Sequence, residues 1–203
     1  MKNIEMNGLE FLKDYRSAMG FMFSRSGPIA LLLGLLLFSV YRLFLSDPLL
    51  IDFVIMAVFI GCRSFVEWGL HMYIFNAAKL PLVGWRLRNP ISAMHMEHHK
   101  NPSCPEGLFF GWAGVLMVVL LSFSILTLVF GDVRLAASGV IAVIINLLLY
   151  EWFHLISHSS ISPTSRFFRR AVDNHRRHHS EDGRLSLGVS SILADKLLGT
   201  YVE

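Results

Sequence analysis

The sequence predicts an all-α integral membrane protein, four transmembrane helices carrying a cytoplasmic helical cap. Three observations predict it. Hydrophobic residues make up 54% of the 203-residue chain and charged residues only 16%, against roughly 45–50% and about 25% in a soluble domain. Mean hydropathy is +0.53. Four apolar stretches follow one another, joined by two very short connections and one long polar one. The length leaves room for a single domain, 1–203. Cys62 and Cys104 are too few for a disulfide framework, and no CxxC pair points to a zinc ribbon or a thioredoxin-like motif. No GxGxxG or GxxxxGK[ST] loop is present, so no nucleotide-binding loop is expected.

Residues 1–27 mix cations and anions without the short apolar core of a cleavable signal. Leu12, Tyr15, Met19 and Met22 share a helical face, so this arm is expected as an interfacial helix. Gly27-Pro28 reads as a break with a first-turn proline. Spans are expected at 28–45, 49–71, 107–130 and 135–156, because a crossing helix needs about 20 mainly apolar residues. Gly107 and Gly111, four apart, read as a helix-packing site in the third span. Residues 72–106 and 157–203 form the cap.

The cations set the orientation. Lys2, Lys13, Arg16 and Arg25 precede the first span. Lys79, Arg86, Arg88 and Lys100 lie between the second and third, and seven more follow the fourth. The positive-inside rule then places both termini and the central loop in the cytoplasm. The basic run from Arg166 to Arg170 flanks a span and reads as an anchor to anionic lipid rather than a nucleic-acid site.

All nine histidines fall on that same side or at the ends of spans two and four. His95, His98 and His99 are spaced i, i+3, i+4; His175, His178 and His179 repeat the spacing; His154 and His158 are i, i+4. Residues three and four apart share a helix face, so each HxxHH offers three imidazoles to one point or two close points. Neutral imidazole suits iron, zinc, copper or nickel. One HxxHH is expected about 0.02 times by chance in a chain of this composition, and two are far rarer. These eight histidines, with His71, are therefore the nine expected metal ligands.

In order, His71, His95-x-x-His98-His99, His154-x-x-x-His158 and His175-x-x-His178-His179 resemble the fatty acid hydroxylase superfamily, which includes sterol desaturases and carotene hydroxylases. Glu67-Trp-Gly-Leu-His71, His98-His99-Lys-Asn-Pro102, Tyr150-Glu151-Trp-Phe-His154 and Gly188-Val-Ser-Ser-Ile-Leu-Ala-Asp195 agree with it. The resemblance covers about residues 60–203. It implies a di-iron site that uses dioxygen to hydroxylate an unactivated C–H bond of a lipid such as an acyl chain, sterol or carotenoid. Zinc can replace iron during expression. It implies no catalytic residue beyond the ligands. It also implies an external electron donor, a reductase with a small cytochrome or ferredoxin, because no cytochrome domain is present. A bacterial inner membrane is favoured, an endoplasmic reticulum membrane being the alternative. Where relatives carry a second histidine five residues after the one matching His71, this chain has Asn76, a weaker amide ligand.

Glu67 and Glu151 are placed to orient ligand imidazoles, as carboxylates behind metal-bound histidines do. Glu67 has a competing reading, an intrahelical ion pair with Arg63. Asn174 either orients His175 or starts its helix. Asn146 and Tyr150 read as packing residues, and Asp195 as a structural acid. Two rival functions remain: a desaturase on the same site, and a non-enzymatic metal sensor or transporter. The transporter reading is disfavoured because transporters hold their ligands near the bilayer midplane.

Overall fold

Helix boundaries follow the apolar runs, with two departures. The computed structural model describes residues 9, 11–77, 89–102, 104, 107–180 and 183–202. Their elements are α1 (Tyr15–Met22), α2 (Ser26–Leu45), α3 (Leu50–Gly61), α4 (Arg63–Leu70), a π-helical turn (His71–Phe75), α5 (Pro90–Lys100), α6 (Trp112–Phe130), α7 (Val133–Ser157), α8 (Arg166–Ser180) and α9 (Leu193–Leu198). No strand occurs among the described residues. Lys2, Lys79, Arg86 and Arg88, which enter the orientation argument, lie outside them, as does most of the 72–106 segment's first half.

α2, α6 and α7 are long and apolar enough to cross a membrane. The expected second span is not one long helix. Cys62 interrupts it, leaving α3 with 12 residues, about 18 Å at 1.5 Å per residue and short of the roughly 30 Å hydrocarbon layer. The break falls where the apolar run meets Arg63 and Ser64. The expected third span also starts late. Gly107 lies in a turn, and Gly111 is the extended residue preceding α6. The small-residue packing site therefore does not exist as a helix face.

The chain forms two compact units, one of residues 20–63 and 109–151, the other of residues 1–19, 64–108 and 152–203. In the first, Leu31, Val115, Val119, Leu126, Ala136, Val140 and Ile144 make the core. A Cβ on Gly139 would come within 2.7 Å of Leu126 Cδ1, so α6 and α7 approach closely there. Outward residues are apolar too: Phe44 is 85% and Leu128 84% exposed. Such surface is tolerated against acyl chains and would be a liability in water. A buried polar knot holds one end. Arg42 donates to Asp52 at 2.9 and 2.5 Å and to the Ser46 carbonyl at 2.8 Å, while Ser138 donates to Asp52 at 2.6 Å. Asp52 also accepts the Leu49 N–H at 2.7 Å, closing the start of α3. Asn146 donates to the Phe59 carbonyl at 3.1 Å, in keeping with a packing role. α6 ends at Gly131, whose φ of 62° is left-handed and suits glycine. Asp132 then accepts the Arg134 N–H at 2.8 Å, the usual acidic start of a helix.

In the second unit the arm is tied down. Leu12 and Ala18 of the arm are buried, whereas Tyr15 and Met19 are exposed. The shared face expected of Leu12, Tyr15, Met19 and Met22 is therefore split. The Tyr15 ring lies 6.1 Å from Trp152 and 6.3 Å from Phe168. Arg176 closes the end of α7 by donating to the carbonyls of Ser157 and Ser159, both at 2.9 Å.

Candidate metal centre

Helix starts and loop anchors aim the histidines. Asn89 caps α5: its Oδ1 accepts the N–H groups of Ile91 (3.1 Å) and Ser92 (3.3 Å), with Pro90 in the first turn. Its Nδ2 donates to the carbonyls of Ile74 (2.5 Å) and Ala77 (3.1 Å). One side chain thus fixes the His95-bearing helix against the segment that follows His71. Asn89-Pro90 is a recognisable helix start, so the signal was present in the sequence, though its second task was not.

The polar side of α4 binds the C-terminal segment. The Glu67 carboxylate accepts the N–H groups of Val189 (3.2 Å) and Ser190 (2.9 Å) and the Ser190 hydroxyl. Trp68 Nε1 donates to Thr200 Oγ1 at 2.9 Å. Ser64 Oγ accepts the Ala194 N–H at 2.9 Å. Asp195 accepts the N–H groups of Leu187 and Gly188, both at 2.8 Å, and the Thr200 hydroxyl at 2.7 Å. Asn174 donates to Asp195 at 2.9 Å and to the Gly188 carbonyl at 2.8 Å. Gly188 is required: a Cβ there would lie 2.1 Å from the Ser191 carbonyl oxygen. The Gly188–Asp195 motif is therefore a loop wrapped round two buried carboxylates.

These contacts revise three expectations. The Glu67 carboxylate serves the 189–190 backbone and the Ser190 hydroxyl. Glu151 does not orient His154: its Oε1 accepts the Phe110 N–H at 3.0 Å, and His154 Nδ1 donates to the Leu108 carbonyl at 3.0 Å. Asn174 sits inside α8 and holds the loop, so it neither starts the helix nor turns His175. Asp195 has the structural role expected.

The nine imidazoles come together. The ligand atoms of His98, His154, His158, His175 and His179 all lie within 4.8 Å of one another, as do those of His71, His95 and His178. His99 Nε2 is 3.0 Å from His95 Nε2, and its ring stacks on His179 at 4.1 Å. Each HxxHH helix divides its rings: α5 sends His98 to the five and His95 to the three, while α8 sends His175 and His179 to the five and His178 to the three.

The five Nε2 atoms form a run. His154–His98 is 3.0 Å, His98–His158 3.2 Å, His158–His175 3.3 Å and His175–His179 3.2 Å. A ring nitrogen holds one hydrogen or one lone pair, so five of them satisfy at most two of these four contacts as hydrogen bonds. The tautomers sharpen the point. A carbonyl only accepts, so Leu108 puts the proton of neutral His154 on Nδ1 and leaves Nε2 a bare lone pair. The Leu185 carbonyl, 3.0 Å from His178 Nδ1, does the same for His178. His178 Nε2 is buried with no hydrogen-bond partner among the described residues. Converging lone pairs need a cation. Two nitrogens each about 2.1 Å from a shared ion, at ordinary coordination angles, sit about 3.0–3.4 Å apart, the spacing found here. The residues fit a metal.

Burial keeps them ready for one. Loss of water, then neighbouring imidazoles, pushes His98 down to about 4, His99 to about 3 and His95 to about 2. His158, His175, His178 and His179 are pushed down as well, burial again first. Neutral nitrogen is the ligating form.

Asn76 is displaced by the π turn. Its N–H bonds the His71 carbonyl at 3.0 Å, an i to i+5 bond. That stacks residue 76 one turn above His71 rather than far round the helix, as a continued α-helix would. Its Nδ2 donates to the Gly183 carbonyl at 2.5 Å. Gly107, read from the sequence as a helix-packing residue, instead lets the chain pass His98: a Cβ would lie 3.0 Å from His98 Cβ.

Apolar helices of membrane-crossing length joined to a buried polyhistidine cluster define a narrow class. The chain belongs to the fatty acid hydroxylase family, whose model matches residues 55–200. A solved structure described as full-length scs7p, with only its hydroxylase domain visible, shares the fold at a TM-score of 0.64 and 24% identity. The match covers 87% of this chain and 65% of that one, so the chain spans less than two thirds of its length. No curated protein matches the chain significantly.

Proposed function

We propose that this protein is a membrane-bound di-iron oxygenase that hydroxylates an unactivated C–H bond of a lipid. The observation that carries the reading is the all-imidazole cluster, a five and a three, in a chain of the fatty acid hydroxylase family. His98, His154, His158, His175 and His179 would hold one metal and His71, His95 and His178 the other, with His99 beside His95. Asn76 remains a weak candidate ligand. When bound, the metal pair supplies dioxygen activation and the oxidising power for the C–H bond.

The chain's own residues do the rest. The carbonyls of Leu108 and Leu185 hold the protons of His154 and His178 on Nδ1, presenting Nε2 as a lone pair. The knots at Glu67 and Asp195 keep the 185–195 loop rigid behind His178 and His71. Burial of the rings excludes water that would otherwise compete for the ligands.

The same reading includes four spans with 49–71 as the second, a cytoplasmic cap, both termini in the cytoplasm and a bacterial inner membrane. It includes electrons delivered by a reductase with a small cytochrome or ferredoxin. The lipid is an acyl chain, sterol or carotenoid. The test compares lipid extracts of cells with and without the gene by mass spectrometry. The expected product gains one oxygen atom, and its formation is lost in His98→Ala. A product lacking two hydrogens would establish a desaturase instead. Unchanged lipids with full metal loading would overturn the enzymatic reading.

A further inference from the structure

We propose that α9 is a membrane-interface helix that rests the second unit on an anionic lipid surface. Its inner side is fully engaged: Ala194 and Asp195 are buried, with Ala194 N–H on Ser64 and Asp195 in the knot beside Asn174. Its outer side is apolar and bare. Leu193 is 48% exposed and Leu197, one turn on, 66%. Neighbouring α4, to which this segment is bonded through Ser64 and Trp68, also turns apolar residues outward: Phe65, Val66 and Leu70 are exposed. A cap surrounded by water would not carry two adjoining apolar faces.

Charge identifies the occupant. Lys196 lies 5.0 Å over the Tyr201 ring, and the Arg177 guanidinium 5.9 Å from the same ring. Two cations on one tyrosine, next to exposed leucines, make the arrangement of an interfacial segment: leucines in the acyl boundary, the aromatic ring at headgroup depth and cations on anionic headgroups. α4 continues an apolar stretch expected to enter the bilayer, so the lipid surface reaches both elements. A second protein would explain the leucines but not this ordering of apolar, aromatic and basic groups. The proposal rests on the chain's being membrane-embedded and not on its chemistry. It assigns α9 to the lipid surface rather than to an aqueous cap.

The test uses the full chain in nanodiscs of phosphatidylcholine with and without phosphatidylserine. Single nitroxide labels are placed in a Cys62→Ser, Cys104→Ser background through Leu197→Cys, Leu193→Cys, Leu36→Cys and Glu97→Cys. Oxygen partitions into the acyl layer and a nickel chelate into water. Labels at Leu193 and Leu197 are expected to be relaxed by oxygen in preference to nickel, as is the label at Leu36. The exposed Glu97 position should show the reverse. Phosphatidylserine should move the Leu197 label deeper, and Lys196→Glu should cancel that shift. Nickel-dominated relaxation at Leu197 with Leu36 still in lipid would overturn the proposal while leaving the enzyme reading intact. Shielding of Leu197 from both reagents would also overturn it, by showing a protein cover. Nickel-dominated relaxation at Leu36 would instead refute membrane embedding as a whole.

Discussion

Nine imidazoles crowded together bring more ring lone pairs into one place than they can pair among themselves. In the metal-free protein the pKa shifts make a pH dependence with a definite sign. His98 ionises near 4 in the folded state but near 6.5 when unfolded. The unfolded chain therefore binds more protons below pH 6.5, and stability falls as pH drops from 6.5 toward 4. Metal-free protein in detergent should lose thermal stability over that window and be flat above it, while bound metal should be released by acid. At Glu67, alanine would leave the buried Val189 and Ser190 N–H groups unpaired, at about 1–3 kcal/mol each. Glu67→Ala is expected to cost about 2–5 kcal/mol in denaturant unfolding and to lower metal content, although its carboxylate meets backbone rather than a ligand ring. Asn76→Ala should retain more metal than His71→Ala, because its amide is already committed to Gly183. Equal loss in the two variants, by metal analysis, would show a direct ligand at 76.

At the scale of elements, the joints between helices carry the specificity. Arg42 and Asp52 are buried at 5% and 4% side-chain exposure and tie the ends of α2 and α3 to α7 through Ser138. Removing one partner of such a pair strands a charge and costs about 3–5 kcal/mol. Arg42→Met should therefore destabilise strongly, whereas Arg42→Met combined with Asp52→Leu should recover much of the loss. Unfolding of both variants in detergent checks this. The HxxHH helices were legible from spacing alone, since 3.6 residues per turn decides which rings share a face. The α3 break at Cys62, the late start of α6 and the π turn after His71 were not. Hydropathy reports how apolar a run is and not where backbone hydrogen bonding changes register.

For the whole molecule, the histidine grouping sets an expected loading close to two metals per chain. Elemental analysis of purified, metal-replete protein should give that ratio, with zinc counting as well as iron because affinity for it is generally higher. Less than one would sink the two-site reading. Electrons are expected from outside, so purified protein with NADH, oxygen and lipid should stay idle until a reductase or carrier is added. A reporter fused after Glu203 and active only outside the cytoplasm should be silent.

The sequence by itself determined the apolar character, the helical class and which histidines share a helix face, because hydropathy and helical spacing are local properties that survive without knowledge of the fold. Tertiary structure alone decided how those histidines divide. It sent His95 and His178 to one set and His98, His175 and His179 to another, across two helices with the same spacing. It also decided that Leu108 and Leu185 carbonyls, rather than Glu151 or Asn174, orient the rings. Any backbone carbonyl can accept a hydrogen bond, so which one does depends on where distant segments meet, and no residue type marks it in advance.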